Sequence, residues 1–234
     1  MIKSALKTAF PRTLPVMAGY LFLGIGFGIL LESKGFSFLW AFFMSVIISA
    51  GSMQYVAIDL LAAGAGLIST AIMTVMIQIR HLFYGLSLID KYKNTGKKKF
   101  MLIYELTDET YSLVASAAVP EGVDKGWFYF FISILDHSYW VIGCTLGGLL
   151  GSMVNFNTKG VDFVMTALFL VIFTDQWLST KEHRPALIGL FSSFVCLLIF
   201  GSQNFIIPSM ISILVFLTLL RKPLEKGVDK HENP

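Results

Sequence analysis

Five long stretches of the chain, residues 13–31, 37–58, 60–79, 138–158 and 185–220, contain no Asp, Glu, Lys or Arg. Each is apolar on every face, which is the pattern of helices in lipid; a membrane β-barrel requires short segments of alternating polarity. About 20 residues at 1.5 Å per residue match a hydrocarbon core of about 30 Å. The first run predicts a helix over Thr13–Leu31, with Pro15 in its first turn and Gly19, Gly24, Gly26 and Gly28 inside it. Small residues of this kind let helices approach closely, so this helix is expected in the bundle interior. The second run carries Gly51, Ser52 and Gln54 near its centre, which predicts a break or kink there. The third ends at Arg80 and His81.

Segment 100–118 is apolar enough to enter a membrane, yet it carries Glu105, Asp108, Glu109 and Ser112. On one helix these form a single polar stripe. Further helices are expected from Trp127 through Asp136 and His137 to about Met153, and from Asp162 to Trp177. As one helix the last run would be about 54 Å long, too long for one crossing. Gly201 to Asn204 and Pro208 supply a break, giving two helices. The fold class that follows is an all-α polytopic membrane protein, 1–234 as one transmembrane domain. It has about seven transmembrane helices plus re-entrant or broken segments.

Composition agrees: 55% of the 234 residues are hydrophobic and 14% are charged, against about 25% charged in soluble domains. The net charge of +3 gives no reason to expect a nucleic-acid partner, and its value is topological. Loop 90–99 holds Lys91, Lys93, Lys97, Lys98 and Lys99, and tail 221–234 holds Arg221, Lys222, Lys226 and Lys230. Both are expected on the cytoplasmic side. The amino-terminal stretch has no cleavage motif and reads as a first helix. A weak internal repeat over 13–90 and 132–205 matches Tyr20, Gly24, Gly28, Leu30 and Leu31 with Tyr139, Gly143, Gly147, Leu149 and Leu150, and Gln54 with Gln176. Two topologies are compatible with this. If the Gly51 run crosses and segment 100–118 re-enters, the amino terminus is outside and the two repeats are inverted, as in many secondary transporters. If the Gly51 run is itself a re-entrant hairpin, the amino terminus is inside, with Lys3, Lys7 and Arg12.

Polar groups at membrane depth are costly and are therefore candidates for function. Arg80, His81 and Tyr84, with Gln78 nearby, offer donors for a substrate carboxylate; the competing account is a helix end reaching the headgroups. Ser52, Gln54 and Gln176 are candidates for substrate contact or for interhelical hydrogen bonding. Glu105, Asp108 and Glu109 suit either the lining of an aqueous cavity, for proton coupling or ammonium pairing, or a solvated interfacial face. Asp136 and His137 are read as a proton relay, a structural pair with Arg80, or groups close to the interface. No P-loop, no HExxH and no G-x-S-x-G elbow occurs, and Cys144 and Cys196 lack ligand spacing. No catalytic residue, metal or cofactor is expected, and the chain is not expected to be an enzyme. An intramembrane hydrolase using Ser52 and a non-transporting scaffold or regulatory subunit are the alternatives to a transporter.

The segments TLPVMAGYLFLGIGFG, SAGSMQYVAI, IRHLFYGLSL, ELTDETYSL and ALFLVIFTDQW together resemble the AzlC-like family of branched-chain amino-acid exporters over nearly the whole chain. The RH-x-x-YG and TDE-x-Y blocks are the most specific elements. Gln78, two residues before Arg80, departs from the Asn common before the Arg-His pair in that family. The resemblance implies a multi-pass protein of the bacterial inner or plasma membrane exporting leucine, isoleucine, valine, and methionine or analogues; proton coupling is added by the reading of the carboxylates at membrane depth. It also implies a small hydrophobic AzlD-like partner subunit.

Overall fold

A computed structural model of the chain describes residues 2–153 and 182–220 and, between them, residues 163, 166, 167, 170, 173, 174, 177 and 178. The chain divides into two compact units, residues 1–166 and 167–234. In the first, α1 spans Ile2–Ser33, α2 Phe38–Ile47, α3 Gly51–Ala62, α4 Leu67–Ser87, α5 Lys98–Tyr104, α6 Asp108–Ser116 and α7 Lys125–Met153. In the second, α8 spans Arg184–Asn204 and α9 Ile206–Leu219. The described residues form helices and no strands. Ile2–Ser33, Leu67–Ser87 and Arg184–Gly201 are long and apolar enough to cross a membrane. The protein is an all-α, multi-pass membrane protein.

The first unit is organised around the seam between α1 and α7, its largest helix pair. A Cβ added at Gly28 would meet the Cys144 carbonyl oxygen at 2.3 Å, and one at Gly147 would meet the Ile25 carbonyl oxygen at 2.2 Å. Gly24 and Gly143 are nearly as tight, with backbone of the opposite helix at 2.8 Å and 2.9 Å. Only residues without a side chain permit such an approach. Residue numbers rise together along both helices, so α1 and α7 run parallel. Helix α1 also extends further back than the uncharged run, to Ile2, because Ala5, Ala9 and Thr13 recur every four residues and are fully buried.

Two re-entrant hairpins lean on this seam from opposite faces. Helix α2 begins beside Gly148 and descends, so that its end reaches the level of His137; α3 returns, with Gly51 against Trp140, the Tyr55 hydroxyl donating to the Leu23 carbonyl at 2.6 Å, and Asp59 3.8 Å from Lys34. Helix α5 begins at the other end, with Lys98 4.4 Å over the Trp127 ring, and rises to Glu105 at His137; α6 returns until Lys91 Nζ donates to the carbonyls of Val114, Ala115 and Ala117. That lysine caps the C-terminal end of α6, where cations are favoured. Between the hairpins α4 runs from the first face to the second. Ala5, Ala9, Leu88, Tyr92, Leu102, Phe128 and Ile132 share one buried core, so the amino terminus lies at the same face as the lysine loop.

Of the two topologies open to the sequence, the fold has the one with a re-entrant Gly51 run: segment 37–58 turns back at residues 48–50, and the amino terminus sits with Lys91–Lys99 on the face that the positive-inside rule makes cytoplasmic. Two sequence expectations change. Segment 100–118 is not one helix with one stripe, because it breaks at residues 105–107. The inverted relation between 13–90 and 132–205 does not hold for their first helices, which are parallel. The matched glycines of α1 and α7 are contact partners, alike because each side of one tight seam needs them. The inversion in this unit relates instead α2, α3 and α4 to α5, α6 and α7, each a hairpin followed by a long helix.

In the second unit the long uncharged run is divided as expected: Gly201 adopts φ 71°, ψ 170°, and α9 begins at Ile206. The positive φ favours glycine. Gln176 and the basic tail from Arg221 lie outside the described residues, as does most of the helix expected over 162–177.

Gly28→Val is predicted to cost about 3 kcal/mol or more through backbone overpacking, whereas Gly19→Ala, with open space around it, should leave the thermal stability of the purified protein unchanged. A cysteine placed at Lys93 or Lys3 should react with an impermeant thiol reagent from the cytoplasmic face only, and one at Gly64 from the outside only.

Candidate functional site

The two hairpin tips meet at the middle of the first unit. Both tips expose helix ends: α2 and α5 present C-termini, α3 and α6 present N-termini, so partial charges of both signs converge. Unpaired backbone at this depth is tolerated only when protein groups satisfy it. Gln54 Nε2 donates to the Ile48 carbonyl at 3.1 Å, while Trp140 Nε1 donates to Gln54 Oε1 at 2.6 Å. Gln54 is fully buried and therefore braces the first break. At the second break Thr107 caps α6 by accepting from the Thr110 amide at 3.3 Å, and the Tyr104 hydroxyl donates to the Ile47 carbonyl across the two tips.

Glu105 ties the tips to the seam. Ser49 Oγ donates to Glu105 Oε2 at 2.8 Å and His137 Nδ1 approaches the same oxygen at 2.7 Å. Glu105 is 2% exposed, and its other oxygen has no hydrogen-bond partner. One turn of α6 away, Arg80 Nη2 donates to Ser52 Oγ at 2.8 Å and pairs with Asp108 at 2.8 Å; the Tyr84 hydroxyl donates to the other Asp108 oxygen at 2.6 Å. Tyr84 stacks on Tyr111 with ring centres 4.4 Å apart, which fixes its hydroxyl. Arg80 Nε and Gln78 Oε1 are buried without a partner. Glu109 and Asp136 occupy a third group: the Tyr20 hydroxyl donates to Glu109 at 2.7 Å, and the Thr110 hydroxyl donates to Asp136 at 2.9 Å. Asp136 is 1% exposed.

The structure thus brings Ser52, Gln54, Arg80, Tyr84, Glu105, Asp108, Glu109, Asp136 and His137 into one region. His81 sits beside it, edge-on to Tyr84 with Nδ1 at 3.2 Å from the Gln78 carbonyl. Arg80 and His81 are inside α4, not at its end, so the headgroup account fails for them. The burial of Glu105 does not fit a solvated interfacial face, and Asp136 is buried as well. Arg80 pairs with Asp108 and not with Asp136 or His137. Among the described residues no three His, Cys, Asp or Glu side chains are grouped as a metal site. The Ser52 hydroxyl accepts from the Arg80 guanidinium.

Sequence reasoning missed Tyr20, Ser49, Thr107, Thr110 and Trp140 as parts of this network. A signal for one of them exists: Thr107 followed by Asp108 and Glu109 is the signature of a helix start, with a capping hydroxyl and a first acidic turn.

The family model described as AzlC protein matches residues 15–154, which contain both hairpins and the whole site. The chain is 52% identical over 226 residues to the branched-chain amino acid transport protein AzlC of Bacillus subtilis, covering 97% of this chain and 89% of that one. It is 45% identical to an uncharacterized membrane protein of Haemophilus influenzae, covering 97% and 94%. To the inner membrane protein YgaZ of Escherichia coli it is 30% identical, covering 75% and 73%. No solved structure matches.

Ser49→Ala and Glu105→Gln should be non-additive in a double-mutant cycle of thermal unfolding, with a coupling of about 1–2 kcal/mol; additive effects would mean that the tips are not tied through this bond.

Proposed function

The chain belongs to the AzlC family, and on that premise we propose that it is a secondary transporter exporting branched-chain amino acids. The substrates are leucine, isoleucine and valine, together with methionine or analogues; the coupling ion is the proton, and a small hydrophobic AzlD-like subunit completes the exporter. The observation that carries this reading is the meeting of two oppositely entering hairpins at Arg80 and Asp108. A zwitterion needs a cation and an anion a few ångströms apart, and an apolar side chain needs a dry wall. Arg80 Nε is buried without a partner, and the first turn of α3 has no side-chain cap at Ala50, so the carboxylate is assigned there. The ammonium is assigned to Asp108, with the free oxygen of Glu105 as a second acceptor. Residues of α1 and α3 such as Phe27 and Met53, both buried, supply apolar wall.

Hairpins opening from opposite faces onto one site provide alternating access: movement of α2 and α3 exposes it to the outside, and movement of α5 and α6 to the cytoplasm. Ion-pair rearrangement supplies the coupling between substrate and gate, since a bound ammonium competes with Arg80 for Asp108.

Proteoliposomes holding this chain, with and without a co-expressed small partner, are predicted to show counterflow of radiolabelled leucine. Arg80→Ala should weaken leucine by about ten- to hundredfold, the worth of a charge-assisted hydrogen bond. A non-transporting scaffold predicts no flux under either condition.

A further inference from the structure

A continuous chain of hydrogen-bonding groups links α1, α6 and α7 at the hairpin tips. Asp136 Oδ2 on α7 is 2.9 Å from the Thr110 hydroxyl; Thr110 is 3.1 Å from the Thr107 hydroxyl; Thr107 is 2.7 Å from the Tyr20 hydroxyl on α1; and Tyr20 is 2.7 Å from Glu109 Oε2. These are four links between two carboxyl groups, bridged by three hydroxyls that supply three hydrogens. One further proton, carried by either carboxyl group, completes all four links. The chain then has two equivalent arrangements: every hydroxyl points towards Glu109 when Asp136 is protonated, and towards Asp136 when Glu109 is protonated. In passing from one to the other, each O–H bond that breaks is matched by one that forms on the next oxygen. Asp136 carboxylic acid plus Glu109 carboxylate becomes Asp136 carboxylate plus Glu109 carboxylic acid.

We propose that Asp136, Thr110, Thr107, Tyr20 and Glu109 form a single-proton relay, and that this relay is the path by which a proton enters the transport cycle. The inference rests on the proton-coupled reading above and names its route. Three observations favour this route over the Arg80–Asp108 pair. Asp108 already neutralises a guanidinium and accepts from Tyr84, so it has little to gain from a proton. Asp136 is almost fully buried, carries one unpartnered oxygen, and makes no ion pair; an isolated buried charge is costly, so it is held best as a neutral acid. Finally, Thr107, Glu109 and Thr110 belong to the cytoplasmic hairpin, whereas Tyr20 and Asp136 belong to the seam. The relay crosses from seam to hairpin at both Tyr20 and Asp136, so hairpin movement breaks it and proton transfer is confined to the docked state.

The charged groups around the relay are Arg80 of α4 and Asp108 of α6, which act on Glu109, and Glu105 and His137, which are bound to each other. Helices α2 and α3 contribute no acid or base at the tip; their one acid, Asp59, is at the outer end beside Lys34.

The test uses the full chain in proteoliposomes with leucine as substrate. Counterflow at equal pH measures exchange without net proton movement, while accumulation driven by an imposed pH gradient and leucine-evoked proton flux, read with an entrapped pH dye, measure coupling. Tyr20→Phe keeps the edge-on contact with Trp140 and removes one hydroxyl; Thr110→Val keeps shape and removes another. Both are expected to retain counterflow within about twofold and to lose gradient-driven accumulation by about tenfold or more, an effect of ~1.4 kcal/mol on the coupled step. Tyr139→Phe removes a buried hydroxyl bonded to Thr13, off the relay, and should leave both activities intact. Wild-type accumulation and proton flux in Tyr20→Phe and Thr110→Val would overturn the relay, as would parallel loss of counterflow and accumulation in both, which is the mark of a merely structural role. If Tyr20→Phe fails to fold, Thr110→Val decides. Wild-type counterflow without leucine-evoked proton flux would overturn proton coupling and the relay together, and absence of counterflow in the wild type would overturn the transport reading beneath them.

Discussion

Backbone amides and carbonyls must find partners inside hydrocarbon, and that requirement shapes the centre of this protein. Two chain reversals at residues 48–50 and 105–107 would be prohibitive if each faced lipid. They persist because they face each other: Ser49 reaches Glu105, Tyr104 reaches the Ile47 carbonyl, and Gln54 with Trp140 braces the Ile48 carbonyl. Neither hairpin is self-sufficient, so the tips are interdependent in a way that a pair of uninterrupted helices would not be.

That interdependence needs a rigid support, which the glycine seam provides. Gly24 and Gly28 bring α1 against Gly143 and Gly147 of α7 at backbone contact distance, and the same two helices then present Tyr20, Asp136, His137 and Trp140 to the tips. Interiors packed this closely deform little. The exposed faces are different in kind. Ile68, Val75 and Leu82 of α4 are largely uncovered, as expected where lipid is the neighbour, while the opposite side of the helix turns Arg80 and Tyr84 towards the site.

The electrostatic arrangement follows from burial. Four acids lie at the tips, and they are offset in different ways: Asp108 by Arg80, Glu105 by His137, Asp136 by the Thr110 hydroxyl, and Glu109 by the Tyr20 hydroxyl with Arg80 nearby. Ion-paired and hydroxyl-bonded acids thus stand side by side at one place.

The sequence by itself determined the solvent, the helical class and most of the residues of the site. Uncharged runs of membrane length leave no other fold class, and the cost of a charge in lipid singles out Arg80, Glu105, Asp108, Asp136 and His137 without any structure. Gly51 and Gly201 also marked real interruptions. Which interruptions turn back, and who pairs with whom, was decided only by tertiary structure. A hydropathy pattern is the same for a crossing helix and a re-entrant hairpin, and the glycines of α1 and α7 look alike whether they are symmetry mates or two sides of one seam. Tyr20 and Thr110 are ordinary residues in one dimension; they become parts of one hydrogen-bonded chain because packing brings α1, α6 and α7 within reach, and such distances are set by the whole bundle.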